Sequence, residues 1–337
     1  VNKQISSITQ GPRQSNFELL RILAMFLILI LHANGHALGL PDAESIHQRP
    51  FYEIFRIFCE CFAIIGVNVF VLISGWFGIR ASKKGFLALW FQVIYFYLGI
   101  VLVLYCLGLI PLSLNNISSV LCLNGSGWFV VSYSILYILS PVLNKFLETA
   151  PEKTIRNVLL AFFAFEIIYG MAIMKEFSQG SSGLSFMGLY LLAGYLRKYG
   201  VRRLTKWAGI VLVVTTIINA GIFTTLTLFS IPAKRLCIAY CSPLVIIPSV
   251  AMILWFSRIT IKPNRFINFI AASAFAVYLF HDFYLMRELF YCPLIRYSDS
   301  VGGLFGVIVA MVLVYTVSVI LDQPRKLIWN YLKKFIS

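Results

Sequence analysis

The sequence is short of charge, and above all of negative charge. Only 12% of its 337 residues are charged, and 13 Asp and Glu stand against 28 Lys and Arg. A soluble globular domain carries about twice that charged fraction, so an ordinary soluble protein is excluded. Hydrophobic residues make up 60% of the chain, and its mean hydropathy is +0.86. This composition is typical of a polytopic membrane protein.

Metal-ligand patterns and nucleic-acid patterns are also missing. The seven cysteines show no metal-ligand spacing, since Cys59 and Cys61 are two positions apart, Cys237 and Cys241 are four apart, and all seven lie in or beside apolar segments. We expect free thiols that pack as small hydrophobic side chains, and no bound metal. The basic residues are dispersed over short loops without interleaved aromatic residues, so a nucleic-acid partner is not expected.

Ten apolar segments are long enough to be membrane helices. They run over residues 17–38, 54–79, 86–110, 128–146, 155–174, 184–196, 207–229, 236–256, 266–289 and 301–329. The predicted fold is therefore an all-α polytopic membrane bundle of about ten transmembrane helices. The sixth segment is short and carries Gly188 and Gly194, so a re-entrant segment is the alternative there. We predict a cytoplasmic N-terminal segment over residues 1–16 and a single transmembrane domain over residues 17–332.

The basic residues indicate which ends of the helices face the cytoplasm. With both termini in the cytoplasm, 20 of the 28 Lys and Arg lie on the inner side or at inner helix ends. Six lie outside, namely Arg49, Lys175, Lys234, Arg235, Arg287 and Arg296, and Arg21 and Arg56 lie within or at the edges of spans. This asymmetry follows the positive-inside rule. The net charge of +15 is thus mostly a signal of topology.

Arg21 and His32 interrupt the first apolar segment, which argues for a mature helix rather than a cleaved signal. A step of eleven positions is almost a whole number of helical turns, so both side chains leave the same face, about 16 Å apart along the axis. Ionisable residues at bilayer depth are costly and by default functional. The alternative is that Arg21 extends to the headgroups and His32 only packs against a neighbouring helix.

A second histidine lies at a comparable depth in the ninth segment. His281 follows Phe266 by fifteen residues, as His32 follows Phe17, and both helices are predicted to run outward. Asp282 points about 100° away from His281, so we expect it to meet another helix. Glu166 and Asp322 also lie within predicted spans. An Arg, two His and several carboxylates together would form a polar cavity suited to proton transfer.

Five segments in order resemble the acyltransferase-3 family of bacterial integral membrane acyltransferases. The first segment is NFELLRILAMFLILILHA, in which ten residues separate Arg21 from His32. The next two are FVLISGWFGIR, with Ser74 and Gly75, and GWFVVSYSILYILSPVLN. The last two are SAFAVYLFHDFYL, with Tyr278 and His281, and LDQPRK, which contains Asp322. The resemblance extends from Asn16 to about Lys326. Many members carry paired arginines early in the third helix, where this chain has Lys83 and Lys84, and the terminal motif usually begins with Glu.

The resemblance implies transfer of an acyl group, most often acetyl from acetyl-CoA, to a hydroxyl of a surface polysaccharide or its lipid-linked precursor. The location implied is the inner membrane of a bacterium, and the partners are a glycan or glycolipid acceptor and the bilayer.

The implied chemistry fits the residues. A neutral imidazole is well suited to deprotonate a sugar hydroxyl near pH 7, so His32 is the candidate base, or else the transient carrier of the acyl group. Arg21 would hold a CoA phosphate or orient the donor, together with Ser74, Lys83 and Lys84. His281 would be a second base or a proton relay, and its alternative is a packing role.

Another class of protein would share the helix number and the buried charges. A secondary transporter or a flippase for lipid-linked glycans is the alternative function. Such proteins often show repeated halves with Gly- or Pro-broken spans at matching positions. The sequence contains no such repeat. A sensory or structural membrane protein would not need an Arg and a His on one helix face.

The charge asymmetry predicts which positions an impermeant reagent reaches. Lys3, Lys83, Arg203 and Lys334 are expected in the cytoplasm, and His47, Asn116 and Arg296 outside. Single-cysteine variants at these positions, in a cysteine-free background, are labelled with an impermeant thiol reagent in intact and in broken cells. The outer positions should react in intact cells and the inner ones only in broken cells. Labelling at position 203 in intact cells would contradict the topology from the sixth helix onward.

Overall fold

The computed structural model describes residues 14–172, 176–200 and 202–336, with side chains for all of these except 202–204. Most of the predicted N-terminal segment, including Lys3 and Arg13, lies outside the described residues, as does Lys175. The side chains of Arg202 and Arg203 lie outside them as well.

Every regular element within the described ranges is a helix, which confirms the all-α prediction. The first eight α-helices are α1 (Ser15–His32), α2 (Ala43–Gln48), α3 (Pro50–Ala63), α4 (Ile65–Phe77), α5 (Lys83–Cys106), α6 (Leu114–Val120), α7 (Trp128–Thr149) and α8 (Glu152–Phe165). The remaining eight are α9 (Gly183–Tyr199), α10 (Arg202–Leu228), α11 (Lys234–Ile238), α12 (Pro243–Phe256), α13 (Arg265–Ala271), α14 (Ala274–His281), α15 (Tyr284–Met286) and α16 (Cys292–Leu332). π-Helical turns follow α1 (Ala33–Leu38), α8 (Glu166–Gly170) and α15 (Arg287–Tyr291).

Seven helical segments of the described chain are long and apolar enough to cross a membrane. They are Ser15–Leu38, Pro50–Phe77, Lys83–Cys106, Trp128–Thr149, Thr205–Leu228, Lys234–Phe256 and Tyr284–Leu332. The predicted fifth, sixth and ninth spans are instead the shorter helices α8, α9 and Arg265–His281. The protein is therefore a multi-pass membrane bundle, and the count of ten crossings stays a prediction.

The predicted ninth span is wrong at its outer end. The helix stops at His281, where Phe283 adopts an extended conformation (φ −57°, ψ 124°), and Tyr284 begins the segment that continues into α16. Phe283 is buried and stacks on Tyr97 of α5, with ring centroids 4.2 Å apart. A continuous apolar run hid this break, because a buried extended residue and a buried helical residue have the same composition.

The first helix lies at the centre of the bundle. It packs against α3, α4, α12, α13, α14 and α16. Leu20, Leu27 and Leu29 of α1 are almost completely buried. Few of its residues therefore face lipid, which is why ionisable side chains are accommodated on it.

The two ends of the bundle are named inner and outer after the predicted topology, with the start of α1 at the inner end. At this inner end, α4 and α9 approach each other closely. A Cβ atom at Gly75 would overlap the backbone of Tyr190, so only glycine permits this approach. The Tyr190 hydroxyl accepts a hydrogen bond from the Ile79 amide (2.7 Å) and donates one to Asn144 Oδ1 (2.6 Å). Asn144 Nδ2 in turn donates to the Ile79 carbonyl (2.9 Å). The Ser74–Gly75 segment is thereby fixed against α7 and α9.

At the outer end, a buried polar network holds the π-helical continuation of α1 against α3. Asn34 Nδ2 donates to Glu60 Oε2 (2.9 Å), and its Oδ1 accepts from Arg56 Nε (2.9 Å). Arg56 also pairs with the fully buried Glu53 (2.8 Å), which has Arg49 as a second partner (2.9 Å). These bonds satisfy charges that would be costly if buried alone. They fix the backbone that follows His32.

Candidate functional site

Two helices far apart in sequence bring the two candidate histidines into contact. His32 ends α1 and His281 ends α14, and His32 Nδ1 lies 2.9 Å from His281 Nε2. His281 is buried and His32 is mostly buried. The sequence placed the two imidazoles at a similar depth, and the structure joins them directly.

The tautomers of this pair follow from one further contact. His281 Nδ1 lies 2.6 Å from the Val277 carbonyl oxygen, and a carbonyl oxygen can only accept a hydrogen bond. In the neutral ring, His281 Nδ1 therefore carries the hydrogen, and its Nε2 is an acceptor. His32 Nδ1 must then donate to His281 Nε2, which leaves the lone pair of His32 on Nε2. The two hydrogen bonds, from His281 to the Val277 carbonyl and from His32 to His281, orient His32 as a base.

The carboxylate next to His281 meets another helix, as the sequence predicted, and its partner there is His32. Asp282 Oδ1 lies 3.4 Å from His32 Nδ1 and 3.5 Å from Arg287 Nη1. Asp282 thus reaches α1 rather than its own neighbour in sequence. A carboxylate at this distance stabilises the charge that His32 gains when it takes up a proton.

The His32 ring lies between two cavities. The outer cavity has a volume of about 380 Å³, and its lining includes His32, Glu60, Trp128, Lys234 and Tyr240. The inner cavity has a volume of only about 10 Å³, which is close to the space that one water needs. Its apolar lining includes Met25 and Ile28 of α1 and Phe129 and Tyr278 from facing helices.

The other end of α1 carries Arg21. Positions 21, 25, 28 and 32 follow the helical repeat, so Met25 and Ile28 of the inner cavity lie on the face that joins Arg21 to His32. Arg21 Nη1 pairs with Glu18 Oε2 one turn earlier (2.8 Å), and the Arg21 side chain is 30% exposed. Arg21 also interacts electrostatically with Tyr133 and Tyr315.

The predicted donor-binding residues occupy the same inner end of the bundle. Ser74 Oγ lies 3.1 Å from the Tyr133 hydroxyl and donates to the Phe70 carbonyl (3.2 Å). Lys83 and Lys84 begin α5 and are exposed, and among the described residues neither forms a hydrogen bond or an ion pair that would occupy it.

Two predicted carboxylates do not join the histidines. Asp322 pairs with Arg325 (2.7 Å) and Lys326 (3.1 Å) within α16. Glu166 lies in the π-helical turn after α8, near Ser185 and Cys241. Of the three carboxylates considered from the sequence, Asp282 lies beside the histidines, and Glu60 adds a carboxylate to the outer cavity. The terminal acidic motif fastens α16, since Lys326 also donates to Ser273 before α14 (2.6 Å).

The structure adds a histidine that the sequence reasoning missed. His36 stands beside His32, with ring centroids 5.2 Å apart, and it lines the outer cavity. The spacing of four residues on one helix was a usable signal. One atom each from His32, His36 and Asp282 lie within 4.8 Å of one another, a set that can hold a metal ion. Glu60, Lys234 and Tyr240 carry no local pattern that marks them, because Glu60 lies on α3 and only packing brings it to Lys234 of α11 and to Tyr240 in the turn after α11.

A family model described as an acyltransferase domain matches residues 14–322 of the chain. No curated protein and no solved structure matches the chain. The matched range covers nearly the whole chain and contains α1, the paired histidines and the terminal acidic residue. With its bundle of apolar helices, the protein is a membrane acyltransferase that belongs to the acyltransferase-3 family.

Proposed function

We propose that this protein transfers an acetyl group from acetyl-CoA to a hydroxyl of a cell-surface polysaccharide or its lipid-linked precursor, in the inner membrane of a bacterium. The observation that carries the proposal is the position of His32. Its ring is oriented through His281 and lies between the outer cavity and a small inner cavity lined by Met25 and Ile28, on the α1 face that also carries Arg21.

The proposed topology has ten crossings with both termini in the cytoplasm. The seven long helical segments account for most of the crossings, and α8, α9 and Arg265–His281 supply the other three. The excess of Lys and Arg on the proposed inner side supports this arrangement. In this orientation Arg21 lies near the cytoplasm, and the outer cavity opens to the other face.

In the proposed reaction His32 is the general base. The acceptor hydroxyl gives its proton to His32 Nε2 while its oxygen attacks the thioester carbonyl carbon. The carbon–sulfur bond then breaks, and the CoA sulfur takes the proton from the imidazolium. His281 keeps Nδ1 of His32 protonated and is the proton-relay partner, and Asp282 stabilises the transient positive charge.

The donor is proposed to bind from the cytoplasmic side. CoA carries several phosphate charges, which the exposed Lys83 and Lys84 and the fork of donors on Arg21 can meet. Ser74 lies beside Tyr133 at the same end. The thin pantetheine arm then follows the apolar α1 face past Met25 and Ile28, and the side chains that line the inner cavity move apart to admit it.

The acceptor is proposed to occupy the outer cavity. Trp128 and Tyr240 present aromatic rings with centroids 5.6 Å apart, and Glu60 and Lys234 add polar groups to the same lining. Aromatic faces pack against the apolar faces of sugars, and charged side chains bind sugar hydroxyls. This lining suits a glycan better than an acyl chain.

The base assignment predicts that His32→Ala abolishes acetylation. The readout is incorporation of labelled acetate into the glycan fraction of a deletion strain that carries wild-type or variant protein. We expect a loss of at least about 100-fold, which is the usual contribution of a general base. His47→Ala is the matched control, because His47 is exposed on α2. Membrane levels and elution profiles of the purified variants should stay as in wild type.

Arg21→Lys in the same assay tests whether the guanidinium fork is used, and a severe loss is expected because lysine keeps the charge but not the fork. Activity of His32→Ala above about a tenth of wild type would contradict the base assignment. No incorporation by the wild-type strain above the deletion strain would contradict the proposed reaction itself.

The donor site predicts a specific kinetic effect for the exposed lysines. Changing Lys83 and Lys84 together to Gln should raise the apparent KM for acetyl-CoA in inverted vesicles, because two phosphate-facing charges are lost. Raised salt should increase the KM of the wild type toward that of the variant, since salt screens exposed charges. Lys333→Gln with Lys334→Gln, near the C-terminus, is the control pair. An unchanged KM in the Lys83 and Lys84 variant would mean that these lysines only set the topology.

A further inference from the structure

The outer face of the site holds more nitrogen ligands than proton transfer needs. His36 lies four residues after His32, on the π-helical turn Ala33–Leu38, and its ring is 5.2 Å from that of His32. His36 is exposed, and no hydrogen bond from its ring to the described residues is present. π-Helical turns within α-helices occur frequently at functional sites. The turn brings a second imidazole to the rim of the outer cavity.

Asp282 supplies the third ligand of this group. Its Oδ1 atom is buried and forms no hydrogen bond with the described residues, although His32 and Arg287 lie at ion-pair distance. Each of His32, His36 and Asp282 offers one ligand atom, and these three atoms lie within 4.8 Å of one another. Zinc bonds of about 2.0–2.2 Å require ligand atoms about 3.5 Å apart. Side-chain rotations that move each ligand atom by about 1 Å therefore close the site around an ion.

The surroundings permit a cation to enter and to keep an exchangeable ligand. The outer cavity of about 380 Å³ contains both His32 and His36 in its lining, so a water can take the remaining position. Glu60 in the same lining adds a carboxylate, and the exposed Lys234 adds a positive charge. Arg287 has an alternative partner in Glu288 (3.3 Å) when Asp282 turns to a cation. Two imidazoles, one carboxylate and an open position are a ligand set that suits Zn²⁺.

The geometry points to an outward-facing Zn²⁺ site formed by His32, His36 and Asp282, whose occupation inhibits acyl transfer. Coordination through His32 Nε2 uses the lone pair that the base needs. Coordination through Nδ1 removes the hydrogen that His32 donates to His281. Either way His32 is withdrawn from proton transfer. The inhibitory effect rests on the proposed function, whereas cation binding does not.

Binding is tested on the purified full-length chain in micelles with Co²⁺, whose absorption spectrum reports its ligands, and with Zn²⁺ as competitor. We expect one Co²⁺ per chain, displaced by Zn²⁺ and bound at least about tenfold more weakly by His36→Ala, because a ligand is lost. His47→Ala is the matched control and should bind as the wild type does. A thiolate band in the spectrum would place the cation on cysteines and overturn the site. Equal affinity in His36→Ala and wild type, or no binding to the wild type, would overturn it as well.

Inhibition is tested by comparing acyl transfer with and without Zn²⁺ within each variant. Wild type and His47→Ala should lose transfer on addition of Zn²⁺ and regain it with a chelator. His36→Ala should need at least about tenfold more Zn²⁺ for the same fractional loss. Binding without any effect on transfer would overturn the inhibitory role. Wild-type protein that binds Co²⁺ but transfers no acyl group, with or without Zn²⁺, would leave the cation site standing and contradict the proposed function instead.

Discussion

The hydrogen bond between His32 and His281 is the interaction on which the site depends. His281 is the last residue of α14, and the chain leaves the helix at Phe283, which is extended and stacks on Tyr97. At the outer end of α1, Tyr291 donates to the Leu29 carbonyl (2.6 Å). These contacts hold the ends of α1 and α14 in place around the two imidazoles.

Three arginines of the described chain pair with a carboxylate one helical turn away on the same helix. Arg21 pairs with Glu18, Arg56 with Glu53, and Arg325 with Asp322, each three residues apart. Such local pairs keep the charges satisfied wherever neighbouring helices move, and they lower the cost of burying them. The His32–His281 contact is different, because its partners lie on separate helices. A relative movement of α1 and α14 would change that contact, which is compatible with the proposed entry of a donor through the inner cavity.

Residues with a local signal were predictable, and residues joined only by packing were not. The all-helical fold, the family, and the shared face of Arg21 and His32 follow from composition and helical periodicity. The turn of Asp282 toward another helix followed from helix geometry. The end of α14 at His281 was missed because composition does not change there. Glu60, Lys234 and Tyr240 were missed because Glu60 lies on α3, far in sequence from the other two, and only packing brings them to one cavity. Asp322 was predicted to join the histidines in a polar cavity, but it pairs with Arg325 and Lys326 of its own helix and accepts a hydrogen bond from Gln92 of α5 (3.4 Å).

We propose that an acetyl group supplied at the cytoplasmic face reaches His32 through the bundle. Membrane vesicles of known orientation that retain the endogenous glycan test this route, with labelled acetyl-CoA added to one face only. Labelled glycan is expected in inside-out vesicles, where the donor meets the cytoplasmic face, and none is expected in sealed right-side-out vesicles. Labelling that requires acetyl-CoA at the outer face would contradict it.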